Sequence, residues 1–326
     1  MRAETEADRL SRRRFVGYGA AVALAPQLAS AQTVVPPPAG AQQDDEARIA
    51  AANDSAKRLT VPVMIGGRGP FHFVVDTGAD RSVIADDVAA SLGLIRGNIV
   101  TVQGVVRSVS SNLVAVADIA VGPIIRRNMS LPILPRAMMG ADGYLGLDAV
   151  DGTRVTLDFE NHSLDVGTSH RASSYRLTRP QEAYVPVRGD MGHLRSLSCR
   201  VDNVSTTCFL DTGAEISVGN TRLFRGLVAE NPDYKVLGTL PITGITGGVI
   251  MGKIVRIDRI SLHSVNFADA VVAIADMEIF DVWGLGHDPA LLIGMNFLRQ
   301  FQRVSIDYGQ KEIRFDMASM MLARSG

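Results

Sequence analysis

Two aspartates carry the clearest chemical signal in this chain. Asp76 ends the apolar run Phe73-Val74-Val75 and opens the polar corner Asp76-Thr77-Gly78-Ala79-Asp80. The arrangement returns at Cys208-Phe209-Leu210-Asp211-Thr212-Gly213-Ala214-Glu215, with the second aspartate 135 positions downstream. One Asp-Thr-Gly can be any turn. An apolar run feeding the same corner twice, a lobe's length apart, sets up a pair of carboxyls. Two carboxyls held close cannot both ionise cheaply, so they share one proton. The ionised member can take a proton from water, and the protonated member can give one to a developing oxyanion. Such a titration belongs to the pair rather than to either residue. Gly78 and Gly213 let the backbone approach these carboxyls and offer them N–H groups.

The elements that must position the two corners repeat as well. In residues 58–167, strands are expected at 59–65 and 71–75, followed by the corner and a short helix at 86–92 stopped by Gly93. A hairpin at 99–106 and 113–121 and a strand at 129–134 come next. Gly143-Tyr144-Leu145-Gly146-Leu147-Asp148 then turns a strand end into a helical turn. A hairpin at 155–159 and 163–166 closes the lobe. Residues 184–316 run through the same order, with a helix at 221–229, a glycine-rich hairpin at 240–254 and Leu292-Ile293-Gly294-Met295-Asn296 in the place of Leu145-Gly146. Residues 168–183 connect the halves, and 317–326 form a tail. An internal repeat of this length predicts two similar lobes related by a pseudo-two-fold axis. The segment 276–289, which holds the only tryptophan, has no counterpart in the first half; it either walls the cleft or makes a surface excursion.

Composition bounds the function class. With 326 residues, 46% hydrophobic and 21% charged, the chain can bury two cores. A net charge of −1 argues against a nucleic-acid surface. Residues 1–31 read as an export signal: Ser11-Arg12-Arg13-Arg14-Phe15-Val16 resembles a twin-arginine motif, an Ala- and Gly-rich run follows from Val16 to Leu28, and Ala29-Ser30-Ala31 offers a cleavage site. That run is short for a permanent span, and no later segment qualifies as one. Residues 32–57, with Pro36-Pro37-Pro38, read as a flexible linker holding at most a loose helix at 49–56. Cys199 and Cys208 flank a hairpin turn at Asp202-Asn203; whether they bridge depends on strand register. Two cysteines and scattered histidines offer no metal set, and Ser82 and Ser217 lack a nucleophilic triad.

These features resemble the retropepsin-like aspartic proteases, over roughly residues 59–316 in two copies. The resemblance rests on the two Asp-Thr-Gly-Ala corners, on the hydrophobic-hydrophobic-Gly elements Leu145-Gly146 and Ile293-Gly294, and on Ile242-Thr243-Gly244-Ile245-Thr246-Gly247-Gly248, which looks like the glycine-rich flap of retroviral proteases. It implies an all-β fold of two lobes, with the cleft between them and one chain supplying both halves as a monomer. Asp76 and Asp211 would be the catalytic pair, supported by Thr77, Gly78, Ala79, Thr212, Gly213 and Ala214. Thr77 and Thr212 would hydrogen-bond across the axis. Leu145, Gly146, Ile293 and Gly294 would pack beneath the pair. Asp80 and Glu215 would hold substrate main chain, and Gly104, Ile242, Gly244, Ile245, Gly247 and Gly248 would form the flaps over it. No metal or cofactor is implied. The expected activity is hydrolysis of an extended protein segment, in limited processing of a cell-envelope protein; the alternative is a peptide-binding module with the same fold and no cleavage. The family's arginine after the hydrophobic-hydrophobic-Gly element is replaced by Leu147 and Met295, so an ion pair to the acid after each corner is missing or replaced. Alanine after each Asp-Thr-Gly removes a hydroxyl that lowers the carboxyl pKa in many pepsin-like enzymes, which predicts an optimum of roughly pH 5–7.

Overall fold

The computed structural model describes residues 59–169, 195–263 and 265–317, together with the strand segments Phe15–Val16, Ala20–Ala21, Glu46–Ala50, Ala52–Asn53 and Glu182–Pro186. Period-two apolar patterns build most of it. In Leu59–Ile65, Leu59, Val61, Val63 and Ile65 are all buried, which is one face of a pleated strand. The first lobe is a closed sheet. Arg96–Gln103, Ser108–Val121, Ile124–Leu134, Val83–Ala85, Gly143–Leu145, Arg68–Val75 and Leu59–Ile65 follow one another, and Leu59–Ile65 returns to pair with Ser108–Val121. Closure leaves the flap strand Arg96–Gln103 outside the ring, with Phe15–Val16 paired to its outer edge.

The second lobe repeats this closure strand for strand. Its order is Arg195–Val201, Val204–Leu210, Ala290–Ile293, Val218–Gly219, Val265–Ile274, Val249–Leu262 and Val236–Gly244, and Arg195–Val201 pairs back onto Val249–Leu262. Both lobes send a short inner strand parallel to the one that bears the corner. Leu145 lies opposite Val75, and Ile293 opposite Leu210.

The closing hairpins do not finish each lobe separately, as the repeat predicts they would. Thr153–Asp158 with Ser163–Thr168, and Phe301–Asp307 with Glu312–Met317, join edge to edge in one six-stranded sheet, with Val155 opposite Ile306 and Leu157 opposite Val304. All four of these side chains are buried, so this sheet gives the lobes a common core. Asp158 and Arg303, one from each half, are tied at 2.8 Å across it.

The linker also differs from its expectation. Glu46–Ala50 is an edge strand on Ser163–Thr168, with Ile49 opposite Leu164, and Ala52–Asn53 pairs with Leu59–Ile65. A helix this short has little stability of its own, and an open sheet edge offers ladder hydrogen bonds instead. The signal cleavage site at Ala31, the triproline, residues 170–181 and residues 318–326 lie outside the described residues. Among the described residues no helix is long and apolar enough to cross a membrane.

Register decides the cysteines. Val201 pairs with Val204 across a two-residue turn, Cys199 faces Thr206 and Ser196 faces Cys208, with a bulge between. The bulge brings the diagonal pair to a Cα separation of 6.0 Å, and the disulfide is formed.

Candidate active site

Each aspartate leaves its strand where the inner strand ends. The Asp76 N–H donates to Leu145 O and that of Asp211 to Ile293 O, both at 3.0 Å. The chain then doubles over the glycine that follows. A Cβ on Gly146 would come within 2.5 Å of the Arg81 backbone, and one on Gly294 within 2.7 Å of Ile216 O. Glycine is therefore the residue that lets two backbones cross beneath each corner. Leu145 and Ile293 are buried there.

The corners lock to one another across the axis. Thr77 N–H donates to Thr212 Oγ1 and Thr212 N–H to Thr77 Oγ1, each at 3.1 Å. The hydroxyls pass the bond on, Thr77 Oγ1 to Leu210 O and Thr212 Oγ1 to Val75 O. Gly78 N–H reaches Asp76 Oδ1 at 2.9 Å, and Gly213 N–H reaches Asp211 Oδ1 at 2.8 Å. Ala214 N–H adds a second donor to Asp211 Oδ1 at 3.2 Å. The glycines also pack on the opposite carboxyls: a Cβ on Gly78 would sit 2.9 Å from Asp211 Cγ, and one on Gly213 2.6 Å from Asp76 Cγ. Both aspartates are buried, at 1% and 0% exposure, and Ala79 and Ala214 are buried beside them.

The missing arginines have a physical replacement that the motifs alone do not announce. Leu147 and Met295 point into the lobe cores. Ser82 Oγ instead accepts from Gly146 N–H at 3.0 Å and donates to Asp148 Oδ1 at 2.7 Å. Ser217 Oγ does the same between Gly294 N–H and Asn296 Oδ1, at 2.9 and 2.8 Å. Ser82 and Ser217 are thus braces under the corners. Their matching positions after each Asp-Thr-Gly were the available signal.

Asp80 lies close enough to Asp148 to feel its charge. Burial first, then Asp148, raises the Asp80 carboxyl to about 7, with Arg81 partly offsetting them. Burial also raises Asp148, against hydrogen bonds from Ser82. Asp80 therefore keeps its proton in the folded chain in a pH range where it has lost it in the unfolded chain. Linkage then makes its contribution to stability fall as pH rises from about 4 to about 7. The gap in melting temperature between wild type and Asp80→Asn is expected to shift against wild type over that interval; a constant gap would contradict the buried acid pair. Asp148 N–H donates to Asp80 O and Asn296 N–H to Glu215 O, so both acids sit at equivalent places. A third group approaches from the shared sheet. The Tyr308 hydroxyl is buried without a hydrogen-bond partner among the described residues, and burial followed by the charge of Asp76 raises its pKa.

Two hairpin tips, one from each lobe, meet each other. The first turns at residues 104–107, where Gly104 N–H donates to Arg107 O. The second turns through Gly247 and Gly248, both at positive φ. The tips interlock: Thr246 Oγ1 donates to Arg107 O at 2.7 Å, and Arg107 Nε donates to Thr246 O at 3.0 Å. A Cβ on Gly104 would collide with Thr246 Oγ1 at 1.9 Å. Ile245 and Ile242 are fully buried, and Ile242 packs into the second lobe's apolar cluster. Gly244 packs against Val105 and Val106 of the first flap.

The segment 276–289 proves to be a seat for the first flap. Its helix Glu278–Val282 and Trp283, stacked on Phe209 at 4.2 Å, form an apolar cluster that takes in Val105 from the flap tip. Glu278 Oε1 accepts from Gln103 Nε2 at 2.7 Å and lies 2.7 Å from Ser108 Oγ. Loss of these bonds should loosen the flap without touching the corners. Glu278→Ala is expected to raise KM about five- to thirty-fold, the equivalent of about 1–2 kcal/mol of hydrogen bonding, with kcat changed less. An unchanged KM would remove Glu278 from flap closure.

No curated protein matches this chain. The family model described as aspartyl protease matches it twice, over residues 61–149 and 197–297. Each match opens in the first strand of its lobe and ends in the helical turn beyond the crossing glycine. Together they take in more than half of the chain, and a fold of two such lobes meeting at paired Asp-Thr-Gly corners makes this chain a retropepsin-like member of the aspartyl protease family.

Proposed function

We propose that the chain is an aspartic endopeptidase that cuts an extended segment of another protein, with Asp76 and Asp211 as its catalytic residues. The observation that carries this reading is the mutual packing of the corners, with each glycine against the opposite carboxyl. That arrangement favours one shared proton. The ionised aspartate takes a proton from a water held between the two. The water oxygen bonds to the peptide carbonyl carbon while the other aspartate gives its proton to the carbonyl oxygen. The resulting diol collapses: the carboxyl-held proton passes to the amide nitrogen, one diol hydroxyl returns its proton to the other aspartate, and the C–N bond breaks. An acid and an amine leave, and the dyad returns to one proton. Closed flaps exclude bulk water and strengthen every charge interaction inside.

In this reading the acids Asp80 and Glu215 and the flap residues Gly104, Gly244, Ile245, Gly247 and Gly248 hold substrate backbone. The work site is the cell envelope after export, with limited processing of one protein. The disulfide fits an oxidising compartment. The test is mass spectrometry of envelope proteins incubated with the purified enzyme, with Asp211→Asn as control. Discrete new termini that vanish with the variant are expected. Peptides retained but uncut by wild type would support the binding module instead.

A further inference from the structure

The two braces under the corners match in geometry and differ in charge. Ser82 Oγ lies 2.7 Å from Asp148 Oδ1, and Ser217 Oγ lies 2.8 Å from Asn296 Oδ1. The Asp148 N–H donates to Asp80 O at 3.2 Å, and the Asn296 N–H to Glu215 O at 3.0 Å. Asp80, Asp148, Glu215 and Asn296 are all half-buried. Asp148 Oδ1 also takes the Ser82 N–H at 2.8 Å, a bond that an amide oxygen can accept as well. Bracing therefore does not require the negative charge of Asp148. That charge is costly where it stands, out of bulk water and beside a second acid. A costly charge next to an acid read as substrate-binding points to work on the substrate.

The effect of Asp148 falls on Asp80. The charges that act on Asp80 are Asp148, on the helical turn Leu147–Val150, and Arg81, its neighbour on the corner. Burial and Asp148 favour the neutral Asp80 carboxyl, and Arg81 opposes them only in part. Asp148 is also pushed up by burial, but the Ser82 N–H and O–H favour its charged form. The proton of this pair therefore rests on Asp80. A neutral carboxyl can donate a hydrogen bond, whereas an ionised one only accepts. Asn296, in the same place beside Glu215, carries no charge.

We propose that Asp148 is a positioning residue that makes Asp80 a hydrogen-bond donor to a main-chain carbonyl of the peptide, so that the two halves of the cleft grip the substrate unequally. The proposal rests on the reading of the chain as a peptidase with Asp80 as a substrate-binding acid. It has a pH signature of known sign. Asp80 donates while it holds its proton and loses that ability as pH rises through about 7. The grip on the peptide weakens over the same interval, independently of the catalytic pair.

The test measures peptide affinity in the full chain carrying Asp76→Asn, which removes cleavage and leaves Asp80 and Asp148 in place. The probe is a peptide that wild type cuts. Its Kd should rise about ten-fold between pH 6 and pH 8, the scale of one lost hydrogen bond. Adding Asp148→Asn recreates the brace seen at Asn296 and removes the charge. The midpoint of the rise should then move to lower pH by about one unit or more. Asp211 is the same in both chains, so the difference belongs to Asp148. Asp80→Asn in the Asp76→Asn chain is the second variant. Its amide donates at every pH, so its Kd should stay level from pH 6 to pH 8. A Kd independent of pH with Asp80 and Asp148 intact, a midpoint unmoved by Asp148→Asn, or a rise that persists in Asp80→Asn would overturn the role of Asp148 and leave the peptidase reading intact. Failure of wild type to cut any peptide would overturn the peptidase reading, and this role with it.

Discussion

Asparagine in place of either Asp76 or Asp211 should lower peptide hydrolysis at least about a thousand-fold and leave the fold intact. General acid–base catalysis alone contributes about 10² to 10⁴, and here one proton serves both roles. An amide can accept the Gly78 or Gly213 N–H bond as the carboxyl does, but it cannot take a proton from water at these pH values. The two single variants should be about equally inactive, because the pair works as a unit. Stability should change little or rise, since two buried acids at 1% and 0% exposure become one. The measurement is kcat on a peptide that wild type cleaves, with the melting temperature of each purified variant alongside. Retention of a tenth of wild-type activity by either would remove that residue from the dyad.

Alanine at the glycines of the two corners should be nearly as damaging, and unequally so. A methyl on Gly213 would lie 2.6 Å from Asp76 Cγ and 2.7 Å from its Oδ2. The same methyl on Gly78 would lie 2.9 Å from Asp211 Cγ and 3.0 Å from Oδ2. No carbon approaches a carboxyl that closely, so the corners must separate and the threonine bonds at 3.1 Å must stretch. A misplacement of about 1 Å in a catalytic group can cost about a hundred-fold in rate. Gly213→Ala is therefore expected to lose at least that much activity, with Gly78→Ala less affected. Overpacking should also lower stability by about 1–3 kcal/mol. The comparison of the two kcat values tests the geometry: equal activities, or Gly78→Ala the worse, would show that the corners pack otherwise.

Much of this was legible in the sequence because its signals are local. An alternating apolar strand running into Asp-Thr-Gly marks itself within eight residues, and the second copy at Asp211 turned one turn into a pair. The crossing glycines at Gly146 and Gly294 read the same way, since only a missing Cβ lets two backbones pass. Pairing between distant segments left no such mark. Ser82 and Asp148 are 66 positions apart, and neither residue type alone announces a brace. Glu278 meets Gln103 across 175 positions, and Val105 enters the apolar cluster around Trp283 only in the folded chain, so no local pattern marks the seat for the first flap. The disulfide depended on one bulge in register. The edge strand Glu46–Ala50 formed in a stretch whose composition favours no sheet, because an open ladder beside Ser163–Thr168 supplied the hydrogen bonds. Residue type and short spacing alone mark the two corners, the repeat and the chemistry open to paired carboxyls. The sheet shared by the halves, the interlock of the flaps and the strands paired to their outer edges arise from long-range pairing, because ladder hydrogen bonds join backbones and carry no side-chain code.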